Sequence, residues 1–334
     1  MVRLEGLKEL AGKFVLVRLG NIDSLDLNLF TFDYDLTFAV FFLSAEEKVY
    51  ARYGGRDAKS ADGRQSLKGL AYTMRSVLEM HRGAAPAFAP RDEAKAVTIR
   101  DIGNRGRRCY HCHNVQEAIN AKTKRDGEWG RDRAFRFPLP DVLGLGLEVD
   151  RGNVVRQVEP GSAADTAGLR KGGVVKRLGG VPIHSQADAQ FALDRAPAKG
   201  PLAATWQRDG KEQSGELALK AGWRQDGDLS WRPSLRRSLA SLPVYGAALT
   251  ADEKKKLGLA PGDLAIRQRE AVHSRARALG VQAGDVIVGI DDRKFTADDA
   301  GFRKFVSGHY LKGDSAKRHV LRDGKRVSLA VTFR

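Results

Sequence analysis

Ala167-Gly168-Leu169-Arg170-Lys171-Gly172-Gly173-Val174-Val175 occurs again, with substitutions, as Leu279-Gly280-Val281-Gln282-Ala283-Gly284-Asp285-Val286-Ile287, 112 residues further along the chain. The same spacing aligns Gly146 with Gly258. Further on, each copy has Asp-Gly between two strand-like runs, at Asp209-Gly210 and at Asp323-Gly324, which predicts a two-residue hairpin turn. A period of this length indicates two tandem copies of one domain and not a solenoid.

Each copy resembles a bacterial PDZ domain of the kind found in periplasmic proteases. The resemblance rests on the run from Val158 to Leu169, with Pro160-Gly161-Ser162 in its middle. It covers residues 141–222 and 245–334, separated by a linker at 223–244. It implies two mainly-β PDZ-like domains, each of which binds an extended peptide, normally a protein C-terminus, as an added strand.

A glycine-rich loop with converging amides is expected to hold the peptide carboxylate. Leu143–Leu147 fits that loop, so the predicted peptide-binding residues are Gly144, Leu145, Gly146 and Leu147. In the second copy either Tyr245-Gly246-Ala247-Ala248 or Leu257-Gly258-Leu259 fills the role. The groove helices are predicted at 186–195 and 297–306. The alternative is a PDZ core used only for packing.

Residues 1–85 resemble an α/β thioredoxin-like domain. The pattern predicts a buried strand over Lys13–Leu19, a second strand over Leu36–Leu43, a third over Val49–Tyr53 and a helix over Ser66–Arg82, whose apolar residues recur at helical spacing. The domain departs from its family because the first strand lacks Cys-x-x-Cys and Leu36-Thr37 replaces the expected Pro-Thr. We therefore expect a scaffold without thioredoxin chemistry.

Residues 86–140 form a predicted linker and helix, and they hold both cysteines of the chain, in Cys109-Tyr110-His111-Cys112-His113. This segment resembles the attachment site of c-type heme. The resemblance implies thioethers from Cys109 and Cys112, and an iron ligand at His113. Met80 and His81 are the candidates for the sixth iron position. Their alternative is a core methionine and a histidine at the end of a helix.

Other chemistries suit the same two thiols. A redox dithiol would have its thiolate favoured by Arg107 and Arg108. Zinc would need a second pair of ligands elsewhere in the chain. Two ordinary thiols are the remaining alternative.

The net charge is +16, but basic and acidic residues are mixed along the chain. This pattern indicates a solvated basic surface and no specific nucleic-acid partner. No apolar run reaches the length of a membrane span, and no secretory signal is visible at Met1–Gly6. No Gly-x-Ser-x-Gly segment marks a protease nucleophile, so an enzyme is not expected.

The whole layout resembles a family of PDZ proteins with an N-terminal thioredoxin-like domain from environmental bacteria. Together these features predict an extracytoplasmic, periplasmic electron-transfer protein with one heme c and PDZ modules that bind protein C-termini. A thiol redox protein or sensor, or a non-catalytic PDZ scaffold, is the alternative.

Overall fold

A computed structural model describes residues 7–19, 22–83, 88–90, 95–102, 111–241, 246–293 and 299–333. The chain forms two compact units. The first runs to Gly227 and includes Arg232–Ser234, and the second comprises Asp228–Trp231 and Leu235–Arg334. Within the described ranges, no helix is both long enough and apolar enough to cross a membrane.

In the described N-terminal part of the first unit there are three α-helices and one hairpin. They are α1 (Lys8–Ala11), β1 (Val40–Leu43), β2 (Val49–Tyr53), α2 (Leu67–Arg82) and α3 (Cys112–Arg125). Helix α2 begins where the sequence predicts, because the side chain of Ser66 caps it by accepting a hydrogen bond from the N–H of Gly69 at 2.9 Å. Strand β2 is buried along its whole length, and strand β1 is shorter than the predicted Leu36–Leu43.

The predicted buried strand over Lys13–Leu19 is not formed. Val15 is 93% exposed and Val17 is 76% exposed, and the segment pairs with no strand of the described chain. Phe14 alone is anchored, with its ring 5.7 Å from that of Phe42. The apolar residues of this segment predicted a buried strand. A strand becomes buried only if it pairs with the edge of a sheet and a second layer of structure packs on it. The thioredoxin-like fold predicted for residues 1–85 is therefore not observed in the described residues.

The remainder of the first unit is mainly β. It contains β3 (Leu145–Leu147), β4 (Val155–Val158), α4 (Ala163–Thr166), β5 (Val174–Leu178), β6 (Val181–Pro182), α5 (Gln186–Arg195), β7 (Gly200–Arg208) and β8 (Lys211–Leu219). Strands β3 and β4 pair with each other, and the other four strands form a sheet in the order β6-β5-β7-β8. Helix α5 has the bounds predicted for the groove helix. Strand β3 begins within the predicted Leu143–Leu147 loop.

The second unit repeats this arrangement. It contains β9 (Gly246–Ala248), α6 (Ala251–Lys256), β10 (Ile266–Gln268), α7 (Ser274–Ala278), β11 (Val286–Ile290), α8 (Asp299–His309), β12 (Ser315–Arg322) and β13 (Lys325–Thr332). Its strands form one sheet in the order β13-β12-β11-β10-β9. Helix α8 ends three residues beyond the predicted 297–306, and residues 294–298 lie outside the described ranges.

Matching backbone conformations identify the two copies as repeats of one module. Gly168 and Gly280 have φ of +95° and +79°, a region that glycine enters without strain. Asp209 and Asp323 also have positive φ, +51° and +49°, and each is followed by a glycine with positive φ. Two consecutive residues with positive φ form the turn that best joins antiparallel strands. Both predicted hairpins are confirmed.

The alignment of Gly146 with Gly258 is wrong. Gly258 follows helix α6. The strand that pairs with β10, as β3 pairs with β4, begins at Gly246. Of the two alternatives for the second loop, only Tyr245–Ala248 has the right place. Tyr245 itself lies outside the described residues.

Candidate functional site

The predicted peptide loop of the first module is divided between a turn and a strand. Pro140–Leu143 form a 3-10 turn that ends at Gly144, whose φ is +72°. Leu145, Gly146 and Leu147 are strand β3, and Gly146 lies opposite Gln157 of β4. The N–H of Gly144 donates to the carbonyl oxygen of Asp141 at 2.9 Å. That amide is therefore already bonded within the turn and is not directed at a ligand.

Helix α5 is the predicted groove helix of the first module. Ser185 caps the helix by accepting from the N–H of Asp188 at 3.2 Å. The Asp188 carboxylate accepts the main-chain N–H of His184 at 3.2 Å. Burial raises the pKa of Asp188 to about 7 against the lowering effect of Arg52 and of these hydrogen bonds. Every side chain from Gln186 to Leu193 is buried.

The second module presents an open strand edge. Ala247 and Ala248 of β9 are exposed, and β9 is the outermost strand of its sheet within the described residues. The N–H of Leu249 donates to the carbonyl oxygen of Ala265 at 2.9 Å. Because successive residues of a strand point their N–H groups to opposite sides, the N–H of Ala248 faces away from β10. An extended peptide could pair there.

Helix α8 is only half covered. Phe302 and Val306 are buried in the core of the module, whereas Ala300, Arg303 and Lys304 are exposed. This is the pattern of an amphipathic helix with one free face. The second module therefore has an exposed strand edge, small side chains along that edge, and a helix with an exposed side.

Only part of the predicted heme site lies in the described residues. Cys109 is outside them. Cys112 is the first residue of α3 and lies half-buried against an apolar cluster that includes Ile99 and Val115. Burial raises the pKa of the Cys112 thiol, which disfavours a reactive thiolate. The ring of His113 stacks on that of His111, with centroids 5.7 Å apart. Attachment of heme c at Cys109, Cys112 and His113 stays a prediction from the sequence.

Both candidates for the sixth iron position contact neighbouring residues of the N-terminal part. Nδ1 of His81 is hydrogen-bonded to the hydroxyl of Tyr50 at 2.8 Å. Met80 packs against the apolar cluster of α2 and β2. In the described part of the chain, no three His, Cys, Asp or Glu side chains converge as metal ligands. Met80 and His81 as candidates for the sixth iron position stay a prediction from the sequence.

A serine and a histidine meet where the sequence gives no signal, because they lie 108 residues apart. Oγ of Ser76 is 2.7 Å from Nδ1 of His184. Burial lowers the pKa of His184 to about 4, and its Nε2 has no hydrogen-bond partner within the described structure. A general base needs a pKa near the working pH and a group to orient it. This pair joins α2 to the first module.

The sequence also gave no signal of a buried cluster of charged side chains. Nη1 of Arg232 lies 2.9 Å from a carboxylate oxygen of Asp33 and 3.4 Å from one of Asp35. Burial raises the pKa of Asp33 to about 6, although Arg232 acts to lower it. The cluster ties residues 232–234 to the N-terminal part of the first unit.

Comparison with curated proteins finds relatives among periplasmic proteases. The chain is 31% identical over 187 residues to a Pseudomonas fluorescens protein named "probable periplasmic serine endoprotease DegP-like", a match that covers 54% of this chain and 37% of that protein. It is 28% identical over 146 residues to the Escherichia coli periplasmic pH-dependent serine endoprotease DegQ, covering 43% and 29%. The chain thus spans only 37% and 29% of the length of these two relatives. No family model matches it.

Solved structures give a local likeness. One is the HtrA3 PDZ domain bound to a phage-derived ligand, 19% identical, with a TM-score of 0.19 over 23% of this chain and 64% of that one. Another is the serine endoprotease of Yersinia pestis, 17% identical, with a TM-score of 0.20 over 22% of this chain and 27% of that one.

The curated relatives confirm one expectation and overturn others. They place the protein in the periplasm, as predicted. Because they are serine endoproteases, they contradict the predicted heme electron-transfer function and its alternatives, a thiol redox protein or a non-catalytic scaffold. They also contradict the expectation that the protein is not an enzyme. That expectation came from the lack of a Gly-x-Ser-x-Gly nucleophile motif in this chain. The absence of one short motif does not exclude an activity that related proteins have.

Proposed function

We propose that the protein acts in periplasmic proteolysis of the serine-endoprotease type and that its PDZ-like repeat binds the carboxyl-terminal end of a polypeptide. The observation that carries this proposal is the exposed edge of β9, where the N–H of Ala248 faces away from its own sheet. Helix α8 of the same module has an exposed side. A peptide that pairs there gains main-chain hydrogen bonds whatever its sequence, and the helix side selects its side chains. Peptide recognition of this kind suits an enzyme that acts on many polypeptides.

The small side chains of β9 also support the proposal. Ala247 and Ala248 leave the strand edge sterically open, while Leu249 is buried and anchors the strand in the module. An edge strand that carried Lys or Pro would repel an added strand. Strand β9 contains neither Lys nor Pro.

Binding of labelled peptides to the full chain tests the recognition step. Short peptides that end in different apolar residues are compared as free acids and as C-terminal amides by fluorescence anisotropy. We expect the free acids to bind about tenfold or more tightly, because a charge-assisted hydrogen bond contributes roughly 1.5–3 kcal/mol. Equal binding of acid and amide, or no binding of any peptide, contradicts the proposal.

Hydrolysis needs a test of its own. The full chain is incubated with an unfolded protein, with and without a fluorophosphonate that modifies activated serines. We expect fragments that disappear with the inhibitor. Intact substrate in every sample would contradict the enzymatic part of the proposal and leave the peptide-binding part standing.

A further inference from the structure

The two modules differ in how much of the groove helix is exposed. A helix beside an open groove keeps one side exposed to solvent, as α8 does at Ala300, Arg303 and Lys304. Helix α5 has no such side, because all eight residues from Gln186 to Leu193 are buried. Eight residues make more than two helical turns, so every direction around α5 is covered.

The hairpin β1–β2 provides much of that cover through its main chain. The N–H of Arg52 in β2 donates to Oδ1 of Asp188 at 2.7 Å. The carbonyl oxygen of Arg52 accepts from Oγ of Ser185. Both polar main-chain groups of one strand residue are thus bonded to the first turn of α5 and its cap.

The side chain of Arg52 continues the same contact. Its guanidinium lies 3.6 Å from the centre of the Phe191 ring, a cation–π distance. Its Nε donates to the carbonyl oxygen of Thr31 at 2.8 Å. A second contact comes from the segment before the module, since Nε2 of Gln190 donates to the carbonyl oxygen of Phe137 at 2.9 Å. The outer side of α5 therefore contacts residues that precede the module in the chain.

Apolar side chains from the N-terminal part complete the closure. Leu29, Val49 and Ala89 are buried in the same cluster as Leu145 and Leu147 of β3 and as Ala189, Phe191, Ala192 and Leu193 of α5. The N-terminal part and the first module therefore share one apolar core.

Helix α2 and its cap residue Ser66 are hydrogen-bonded to the region just after β3. Oγ of Ser66 donates to Asp150 at 2.6 Å, and the hydroxyl of Tyr72 donates to Oδ1 of Asn153 at 2.9 Å. Gly69 makes the approach possible, because a Cβ there would lie 2.5 Å from the carbonyl oxygen of Val149. The N-terminal part thus contacts the first module on both sides of its groove.

From these contacts we infer that the first module's groove is closed by the chain's own N-terminal hairpin, so that the folded protein takes one peptide, at β9 of the second module. The inference rests on the proposed peptide binding and names the site responsible for it. The loop predicted at Gly144–Leu147 then belongs to a module that uses its groove helix to hold the N-terminal part of the chain.

Two substitutions at one exposed position test the inference in the full chain. Ala248→Pro removes the outward N–H of β9 without removing a hydrogen bond to β10, because that N–H faces away. Ala248→Val keeps the N–H and adds similar bulk, so it is the matched control. We expect one peptide per chain for the wild type and for Ala248→Val. For Ala248→Pro we expect at least a tenfold loss of affinity, with an unchanged circular dichroism spectrum and melting temperature.

Hydrogen exchange of the wild type gives a second measurement that needs no substitution. Saturating peptide should protect the amides of 246–248 and leave those of 145–147 and 186–195 unchanged. Two peptides per chain, binding that survives in Ala248→Pro, or protection at 145–147 would overturn the closed groove. A wild-type chain that binds no peptide at all would instead contradict the proposed function, so the two failures are distinguishable.

Discussion

The main-chain N–H of Arg52 is hydrogen-bonded to the carboxylate of Asp188, 136 residues away, at 2.7 Å. Asp188 is buried and also accepts the N–H of His184. One carboxylate therefore satisfies donors from the N-terminal hairpin and from the segment before α5. An unsatisfied donor of this kind is costly in a protein interior.

Asp188→Ala is expected to lower the free energy of unfolding of the first unit by about 2–3 kcal/mol, because two buried N–H groups lose their acceptor. Asp188→Asn keeps an oxygen for Arg52 and should cost less than half as much. Urea unfolding followed by tryptophan fluorescence measures both, since Trp129, Trp206 and Trp223 lie in the first unit. Equal losses for Ala and Asn would show that the carboxylate charge, and not its acceptor oxygens, matters.

His184 is expected to make the first unit sensitive to acid. Its pKa is lowered to about 4 by burial, whereas an unfolded histidine has a pKa of about 6.5. Between these values the unfolded chain binds the proton and the folded chain does not. The stabilisation is therefore complete above about pH 6.5 and falls by roughly 3 kcal/mol as the pH drops toward 4.

The comparison variant for this pH effect is His184→Asn, which places a polar atom near the position of Nδ1 beside Ser76 and does not titrate. The difference in unfolding free energy between wild type and variant isolates His184, because the contributions of Asp33 and Asp188 are common to both. We expect this difference to change between pH 6.5 and 4. A difference that stays constant across that range would show that the imidazole is hydrated or partnered in solution.

Arg318 in β12 is expected to destabilise the second unit. Its side chain is fully buried in line with Ala316 and Val320. Among the described residues its three guanidinium nitrogens have no hydrogen-bond partner. Burial lowers its pKa to about 10. Replacing a poorly compensated buried charge by an apolar side chain of similar length often stabilises a protein by about 1–4 kcal/mol.

Arg318→Met should therefore raise the unfolding free energy of the second unit, measured by hydrogen exchange of β12 and β13 under native conditions. Lys317→Met, on the exposed face of the same strand, should change it by no more than about 0.5 kcal/mol. A loss of stability in Arg318→Met would mean that the guanidinium has an anionic partner in solution.

Local sequence was sufficient for the backbone of the repeated module. The Asp-Gly turns at 209–210 and 323–324, the glycines at 168 and 280, and the cap of α2 at Ser66 depend on residues within a few positions of each other. The bounds of α5 were predicted from the resemblance to PDZ domains, and its cap at Ser185 is also local. These local features determine the turns and helix ends of the two modules.

The tertiary structure decided which surfaces are covered and which are free. The run at Lys13–Leu19 has the composition of a buried strand, yet no sheet edge of the described chain receives it. Helix α5 is covered because Arg52 contacts it. Strand β9 is open because Ala247 and Ala248 are exposed. Burial is a property of pairs of segments far apart in the chain. Residue types and spacing therefore identified two PDZ-like modules, and only long-range packing distinguished the covered helix α5 from the exposed edge of β9.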